Sequence, residues 1–474
     1  MQIFTTQRED INGRLDCFYY QPEFVELEKK MKKKTNKTLG DFVLGIAGGA
    51  TPNKLYSDKY YAKSSDDGIP FLRVQNVTNE GLDFDNCKYI KSETHQGLLK
   101  RSQVKEDYLI TKITGVGRMA ISSVAPKDFE GNINQHLVAI KTKSREVSEA
   151  LASFLNSDIG ERLASRRSTG GTRPALDYKA LLSIPVIFNP KIVSIMQSAY
   201  KDRKEKLKQA DELLNSIDGY VRQQLGIGYT EPEEAPTFTT SSDEVKGKRL
   251  DPKKYSQKPK TILTAIKKAK YSQLPLNDLI VANLSGEWGN DLFDENAKAD
   301  KDTIQVKVLR NTNFDNSLNL NLDYVAERLI EKNKFEKNKL QDSDILVEKS
   351  GGSPIQPVGR VAIFDNIKDD YCFSNFLQCI RINTTRCLPY YLFAYLKSIY
   401  ALNYMEYLQN QTTGIKNLIW EEFTDIPIVL PPKDTQEKLA EETKDRMTKA
   451  IALRHEASTV LEEAKKKVEE MILN

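Results

Sequence analysis

Short strings recur in the same order about half a chain apart, and this recurrence constrains the fold more than any other feature of the sequence. Arg14-Leu15-Asp16 returns as Arg249-Leu250-Asp251, and Leu72-Arg73-Val74-Gln75-Asn76 as Leu309-Arg310-Asn311-Thr312-Asn313. Val116-Gly117-Arg118-Met119-Ala120-Ile121 returns as Val358-Gly359-Arg360-Val361-Ala362-Ile363, and Ile184-Pro185-Val186-Ile187 as Ile426-Pro427-Ile428-Val429. The offsets drift as a duplication would: 249−14 = 235, 309−72 = 237, 358−116 = 242 and 426−184 = 242. Matching Asp107 with Asp344, Lys112 with Lys349 and Gly115 with Gly352 keeps 237, which places the whole step of five in Ser353-Pro354-Ile355-Gln356-Pro357. So long a period excludes a solenoid, whose units run roughly 20 to 50 residues. Two copies of one large domain are expected, and with them two binding sites.

The length of 474 residues would admit about three domains, but the duplication favours two, each large enough for its own core. With 39% hydrophobic and 29% charged residues, the chain reads as soluble and globular. No apolar run approaches the roughly 18 residues needed to span a bilayer. Met1 to Asp10 lacks the basic-then-apolar order of a signal peptide, so a cytoplasmic location is expected. Five cysteines, Cys17, Cys87, Cys372, Cys379 and Cys387, form no disulfide framework and lack the close pairs of a zinc site; no metal is expected. A net charge of +4 leaves nucleic-acid binding open, because a basic footprint matters by where it clusters.

Each half reads as a strand-rich region followed by a long helix. Residues 69–74, 108–113 and 136–142 are β-type runs bounded by Gly, Asn and Asp, with partners at 306–309, 344–348 and 377–382. Helical stretches run from Pro190 to Leu225 and from Pro432 to Leu473. Leu207, Ala210, Leu214, Ile217 and Val221 are spaced 3, 4, 3, 4, as are Ala450, Leu453, Ala457, Val460 and Ala464. This is the signature of helices packed along a narrow seam; ordinary amphipathic helices docked on their own domains are one reading, and the narrow seam favours the other, an antiparallel coiled coil of two helices each roughly 50 to 60 Å long. Gly226 suits a helix end, and the Pro-, Ser-, Thr- and acid-rich stretch after it reads as a linker. The fold class is therefore α+β: a mixed α/β recognition domain at 1–189, a spacer helix at 190–226, a linker at 227–248, a second recognition domain at 249–431 and a second spacer helix at 432–474.

The sequence carries no recognisable catalytic apparatus. A phosphate-binding Gly-x-x-x-x-Gly-Lys-Ser/Thr loop and a dinucleotide-binding glycine pattern are both missing. The only Pro-Pro, Pro431-Pro432, precedes Lys433, where an amino-methyltransferase motif would need an aromatic residue. Asp344, Glu348 and Lys349 fall short of nuclease spacing, and His95, His136 and His455 are scattered. What remains is a polar surface. Arg73, Gln75 and Asn76 match Arg310, Asn311 and Asn313; Lys112 matches Lys349, and Arg118 matches Arg360. The glycine-containing segment around Thr172 and Arg173, with Arg166 and Arg167 just upstream, matches that around Thr413, Lys416 and Asn417. Arg, Lys, Asn and Gln can read base edges, while Lys, Thr and backbone amides anchor phosphates.

In this order the motifs resemble the specificity subunit of a Type I restriction-modification system. The resemblance spans nearly the whole chain: Arg14-Leu15-Asp16 with Tyr19-Tyr20, Gly49-Ala50-Thr51-Pro52, Val116-Gly117-Arg118, Asn134-Gln135-His136-Leu137, Thr169-Gly170-Gly171-Thr172-Arg173, Ile184-Pro185 and the long helices. The second copy departs from it at Leu284-Ser285-Gly286-Glu287-Trp288-Gly289 and at Ser374-Asn375-Phe376-Leu377. The resemblance implies a non-catalytic subunit that reads a bipartite double-stranded DNA target and sets its spacing with the helices. It implies partners too: two methyltransferase subunits that use S-adenosylmethionine, and restriction and translocation subunits that use ATP and magnesium. A methylation-based phage-defence complex without cleavage, a self-contained DNA-modifying enzyme and a helical scaffold without DNA specificity are the alternative readings.

Overall fold

The computed structural model describes all residues except 1–3, 6–10, 12, 15, 53–56, 63, 65, 85–86, 116, 248, 293–301, 316–318, 323, 352–355, 366–368, 413 and 474. The chain forms two compact units, one from residues 1–206 with 455–474 and the other from residues 207–454. The divisions fall inside the two long helices rather than at their ends.

In the first unit a four-stranded antiparallel sheet runs in the order Gly45–Gly48, Leu137–Lys141, Leu109–Lys112, Ser122–Val124. In the second unit the same order is kept by Ile280–Ser285, Leu377–Ile382, Asp344–Glu348 and Val361–Phe364. Each unit adds a second sheet built on a parallel pair: Ile69–Leu72 beside Glu130–Ile133, and Thr303–Leu309 beside Tyr371–Phe373.

Strand periodicity divides the cores. Successive side chains of a strand face opposite ways, so Leu109, Val138 and Ile140 join the helix-side cluster with Leu151, Phe154 and Leu163, while Ile110, Leu137 and Ala139 pack with Leu72, Val104 and Ile133. Ile345, Val347, Ile380 and Ile382 take the first role in the second unit, and Leu346, Leu377 and Cys379 the second. Cys372 and Cys387 are buried as well, and burial pushes both thiols up to about 12.

Both long helices form, as Pro190–Leu225 and Lys433–Leu473. Within the second unit they run antiparallel: Arg454 meets Asp211 at 3.0 Å while Arg446 meets Ser216 at 2.8 Å. Ala210, Leu214, Ile217 and Val221 share a buried cluster with Leu439 and Ala450, and Leu453 packs against it half-buried. Within the first unit, Ile192, Met196 and Ala199 pack with Ala464, Val468 and Ile472, and Val460 lies against them. Ala457 is fully buried and Leu207 half-buried.

The Arg-Leu-Asp motif is a clasp in both units. Arg14 donates to the carbonyls of Arg167 and Ser168 at 3.0 and 2.9 Å, and Arg249 to those of Gln409 and Tyr407, both at 2.7 Å. Tyr20 Oη donates to the Arg14 carbonyl at 2.7 Å, and Tyr255 Oη to that of Arg249 at 2.6 Å. These tyrosines and arginines lock the incoming segment against the rest of each unit.

The middle of the repeat follows a different register from the one that sequence matching suggests. Ile113 N donates to His136 O at 3.0 Å, and the equivalent donor in the second unit is Lys349 N, to Phe376 O at 2.9 Å. Lys112 N donates to Ile121 O at 2.9 Å, as Glu348 N does to Arg360 O at 2.8 Å. Hence Lys349 stands where Ile113 does, and Glu348 where Lys112 does. A slip of one residue exchanges the faces of a strand, so Lys112 and Lys349 are not a matched pair. Arg118 and Arg360 are not matched either, because Arg360 stands where Ile121 does. With 348−112 = 236 and 360−121 = 239, the second copy gains three residues in this turn rather than five. Of the five sequence-unmatched residues, 353–355 lie outside the described residues.

Candidate nucleic-acid interface

Three loops converge at one end of the first sheet in each unit. In the first unit, Ile113 joins His136 and Leu176, while Gly115 N donates to Pro174 O at 3.1 Å. In the second, Lys349 joins Phe376 and Leu418, and Ser350 pairs with Asn417. A fourth loop leaves the edge strand through a glycine that touches backbone. A Cβ on Gly49 would lie 1.8 Å from the Asn134 carbonyl oxygen, and one on Gly286 would lie 2.3 Å from those of Phe373 and Ser374. Only glycine fits so close an approach. The two places where the second copy departs in sequence, around Gly286 and Ser374, thus occupy the same backbone positions as Gly49 and Asn134.

Several of the residues expected on DNA instead hold these loops in place. Asn76 is 0% exposed; its Oδ1 accepts from Arg73 N at 2.9 Å and its Nδ2 donates to Asp83 O at 2.9 Å. Asn313 repeats the turn, accepting from Arg310 N at 2.9 Å and donating to Asn321 O and Tyr324 O, both at 3.1 Å. Arg166 and Arg167 are buried against Glu28, at 2.8 and 2.7 Å. Arg360 is buried on Glu348 and also donates to the carbonyls of Phe314 and Asn311. The bonding capacity of these five residues is spent inside the fold rather than on DNA, because the buried amides of Asn76 and Asn313 need hydrogen bonds and the buried charges of Arg166, Arg167 and Arg360 need pairing. Lys112 is buried too, and desolvation holds its ammonium below the usual lysine range. Lys416 is likewise buried, with Nζ 3.2 Å from the Gln356 carbonyl.

The remaining candidates are accessible. Gln75, Thr172 and Arg173 are exposed; Arg73, Arg118, Arg310, Asn311, Lys349 and Asn417 are half-buried. Arg118 leans on Asp158 at 3.3 Å. Asn417 Oδ1 accepts from Ser350 Oγ at 2.7 Å. Thr413 lies outside the described residues.

Residues 288–463 match the family described as the Type I restriction modification DNA specificity domain. This stretch carries a Type I restriction-modification DNA specificity domain. No curated protein matches the chain. Among solved structures it resembles a chain of a type I restriction-modification assembly, with 12% identity, TM-score 0.47 and coverage of 92% of this chain and 95% of that one. It also resembles the type I S subunit from M. genitalium, with 11% identity, TM-score 0.41 and coverage of 93% and 94%. A third likeness is to the HsdS subunit from Thermoanaerobacter tengcongensis, with 13% identity, TM-score 0.30 and coverage of 92% and 94%. Residues outside 288–463 repeat the backbone pattern of the matched domain.

Around this site the structure brings in residues outside the candidate set. Trp288 carries the Arg328 guanidinium 4.0 Å from its ring centroid and that of Arg310 at 5.3 Å. Lys349, Asn283 and Ser285 gather around Gln378. Trp288 was legible as one of only two tryptophans in the chain, set among glycines; the Lys349 group was hidden by the one-residue slip. Among the described residues, no three His, Cys, Asp or Glu side chains are placed to share a metal ion, and no helix is long and apolar enough to cross a membrane.

Proposed function

We propose that the chain is the specificity subunit of a Type I restriction-modification system and reads a bipartite DNA target, with residues 1–189 contacting one half and residues 249–431 the other. The paired long helices would set the gap between the halves. The observation that carries this reading is the recurrence, in the half outside the matched specificity domain, of the same clasp, sheet order and loop convergence. Two reading modules on one chain fix half-site spacing as dimeric DNA readers do. The chemistry of the accessible residues supports it. Arginine, glutamine and asparagine form bidentate bonds to base edges, while threonine and backbone amides at the glycine turns suit phosphates.

The partners we propose are two methyltransferase subunits, which bring S-adenosylmethionine, and restriction and translocation subunits, which bring ATP and magnesium. Co-producing the chain with its methyltransferase subunit and mapping modified adenines in host DNA tests the reading. A two-part motif with a fixed gap is the expected result; a single continuous motif, or modification by the chain alone, would overturn it. Exchanging residues 1–189 for the corresponding segment of another specificity subunit is expected to change one half of the motif only.

A further inference from the structure

At the end of the first sheet, the two copies differ in chemistry at equivalent backbone positions. The second unit places Lys349, Gln378, Asn283 and Ser285 together, with Lys349 Nζ and Ser285 Oγ each donating to Gln378 Oε1 at 3.1 Å. Gln378 Nε2 donates in turn to Asn283 Oδ1 at 2.6 Å. Strand pairing sets Ser285 opposite Gln378, and Gly48 opposite Val138. By the same correspondence Asn283 stands where Ile46 does, and Lys349 where Ile113 does. The first copy places Ile46, Gly48, Val138 and Ile113 at these positions, so its only polar group against Gly48 among the described residues is the Tyr178 hydroxyl, which a Cβ there would meet at 1.8 Å.

Gln378 is 6% exposed, where the first copy has the aliphatic Val138, and burying its amide is costly unless it is hydrogen-bonded. The network satisfies Gln378 and, in doing so, fixes the sense of the cluster. Both bonds to its Oε1 and the one from its Nε2 orient the amide, so Asn283 has its carbonyl engaged and its NH2 left to offer. Lys349 presents an ammonium, desolvated enough to sit below the usual lysine range, on a chain held by a buried partner. The result is a preorganised, donor-rich surface at the junction of the converging loops; Asn311 Nδ2 lies 3.5 Å from the Ser350 carbonyl beside it. Donors held in this way fit the adjacent N7 and O6 acceptors on the major-groove edge of guanine.

We infer that Lys349, oriented by Gln378 and joined by Asn283, reads an acceptor-bearing base, guanine by its chemistry, in the half-site of the second copy, and that the first copy has no counterpart to this contact. The inference rests on the two-half reading proposed above. Its test is to co-produce the full chain with its methyltransferase subunit and map modified motifs for wild type, Lys349→Met, Lys349→Arg, Gln378→Leu and Asn283→Ala. Lys349→Met is expected to relax one position of one half by about 10-fold or more, as the loss of a good base contact does, with the other half unchanged. Gln378→Leu is expected to relax the same position more weakly, and Lys349→Arg to keep the guanine preference. Asn283→Ala, exposed on the edge strand, leaves the core intact and is expected to relax that position as well. Uniformly weaker modification with an unaltered motif would mark a phosphate contact and overturn the inference. So would failure of the variant subunits to assemble with the methyltransferase, which would mark a protein interface. A wild-type map without two halves would instead sink the parent reading.

Discussion

Arg360 holds Glu348 through two hydrogen bonds, Nε to Oε2 at 2.8 Å and Nη2 to Oε1 at 2.9 Å, with both side chains nearly sealed from solvent. An arginine that sequence matching places on DNA is therefore engaged inside the fold. Arg360→Ala leaves Glu348 charged and unpaired, at a cost of about 3–5 kcal/mol. Urea unfolding is expected to show that loss, and replacing both partners by apolar residues, Arg360→Met with Glu348→Leu, to recover most of it.

Glu28 supplies a pH dependence in the first unit. Burial raises its pKa, but the Arg167 hydrogen bond and the charges of Arg167, Arg166 and Lys32 outweigh burial and leave it below its ordinary value of 4.5. A carboxylate depressed in the folded state contributes stability that is present above that ordinary value and lost as pH falls through the lower, folded one. Melting from pH 7 to pH 3 is expected to show Glu28→Gln less stable than wild type near neutrality, with the gap closing in acid. A gap that widens on acidification would contradict the sign.

The turn at Asn76 is worth about 1–2 kcal/mol, because Asn76→Ala removes two hydrogen bonds made by a buried side chain to the part-buried Arg73 amide and Asp83 carbonyl. Arg73 and Gln75 ride on that turn. The variant is expected to melt earlier and to weaken DNA binding at one half, whereas Gln75→Ala, on an exposed side chain, is expected to leave the melt within about 0.5 kcal/mol.

Close backbone approach makes Gly49 and Gly286 intolerant of any side chain. Each glycine→Ala substitution must push the loop off the neighbouring strand, at about 1–3 kcal/mol as for other overpacked sites. Chemical denaturation of the two variants is expected to give comparable losses despite the different sequences around them.

The helix seam has a measurable gradient. Leu214 is fully buried between the long helices, and Leu214→Ala is expected to cost about 2–5 kcal/mol. Leu207→Ala, at a half-buried position, is expected to cost less.

Much of this protein is legible in one dimension. The ends of the repeat hold in space: Arg14 and Arg249 make equivalent bonds, Leu72 and Leu309 accept from Asn134 and Ser374 alike, and Ile184 and Ile426 both accept from a leucine amide. The strands at 69–74, 108–113 and 136–142 and both long helices follow from periodicity, because alternation and the 3, 4 spacing are local consequences of burying one face. The sequence itself thus determined the duplication, the element types and the seam. The tertiary structure decided which lysine stands beside Gln378, which arginines are buried and which glycine touches a strand. Those outcomes depend on hydrogen bonds between residues far apart in the chain, and a one-residue difference in strand register, nearly invisible to sequence matching, turns a side chain from one face of the sheet to the other.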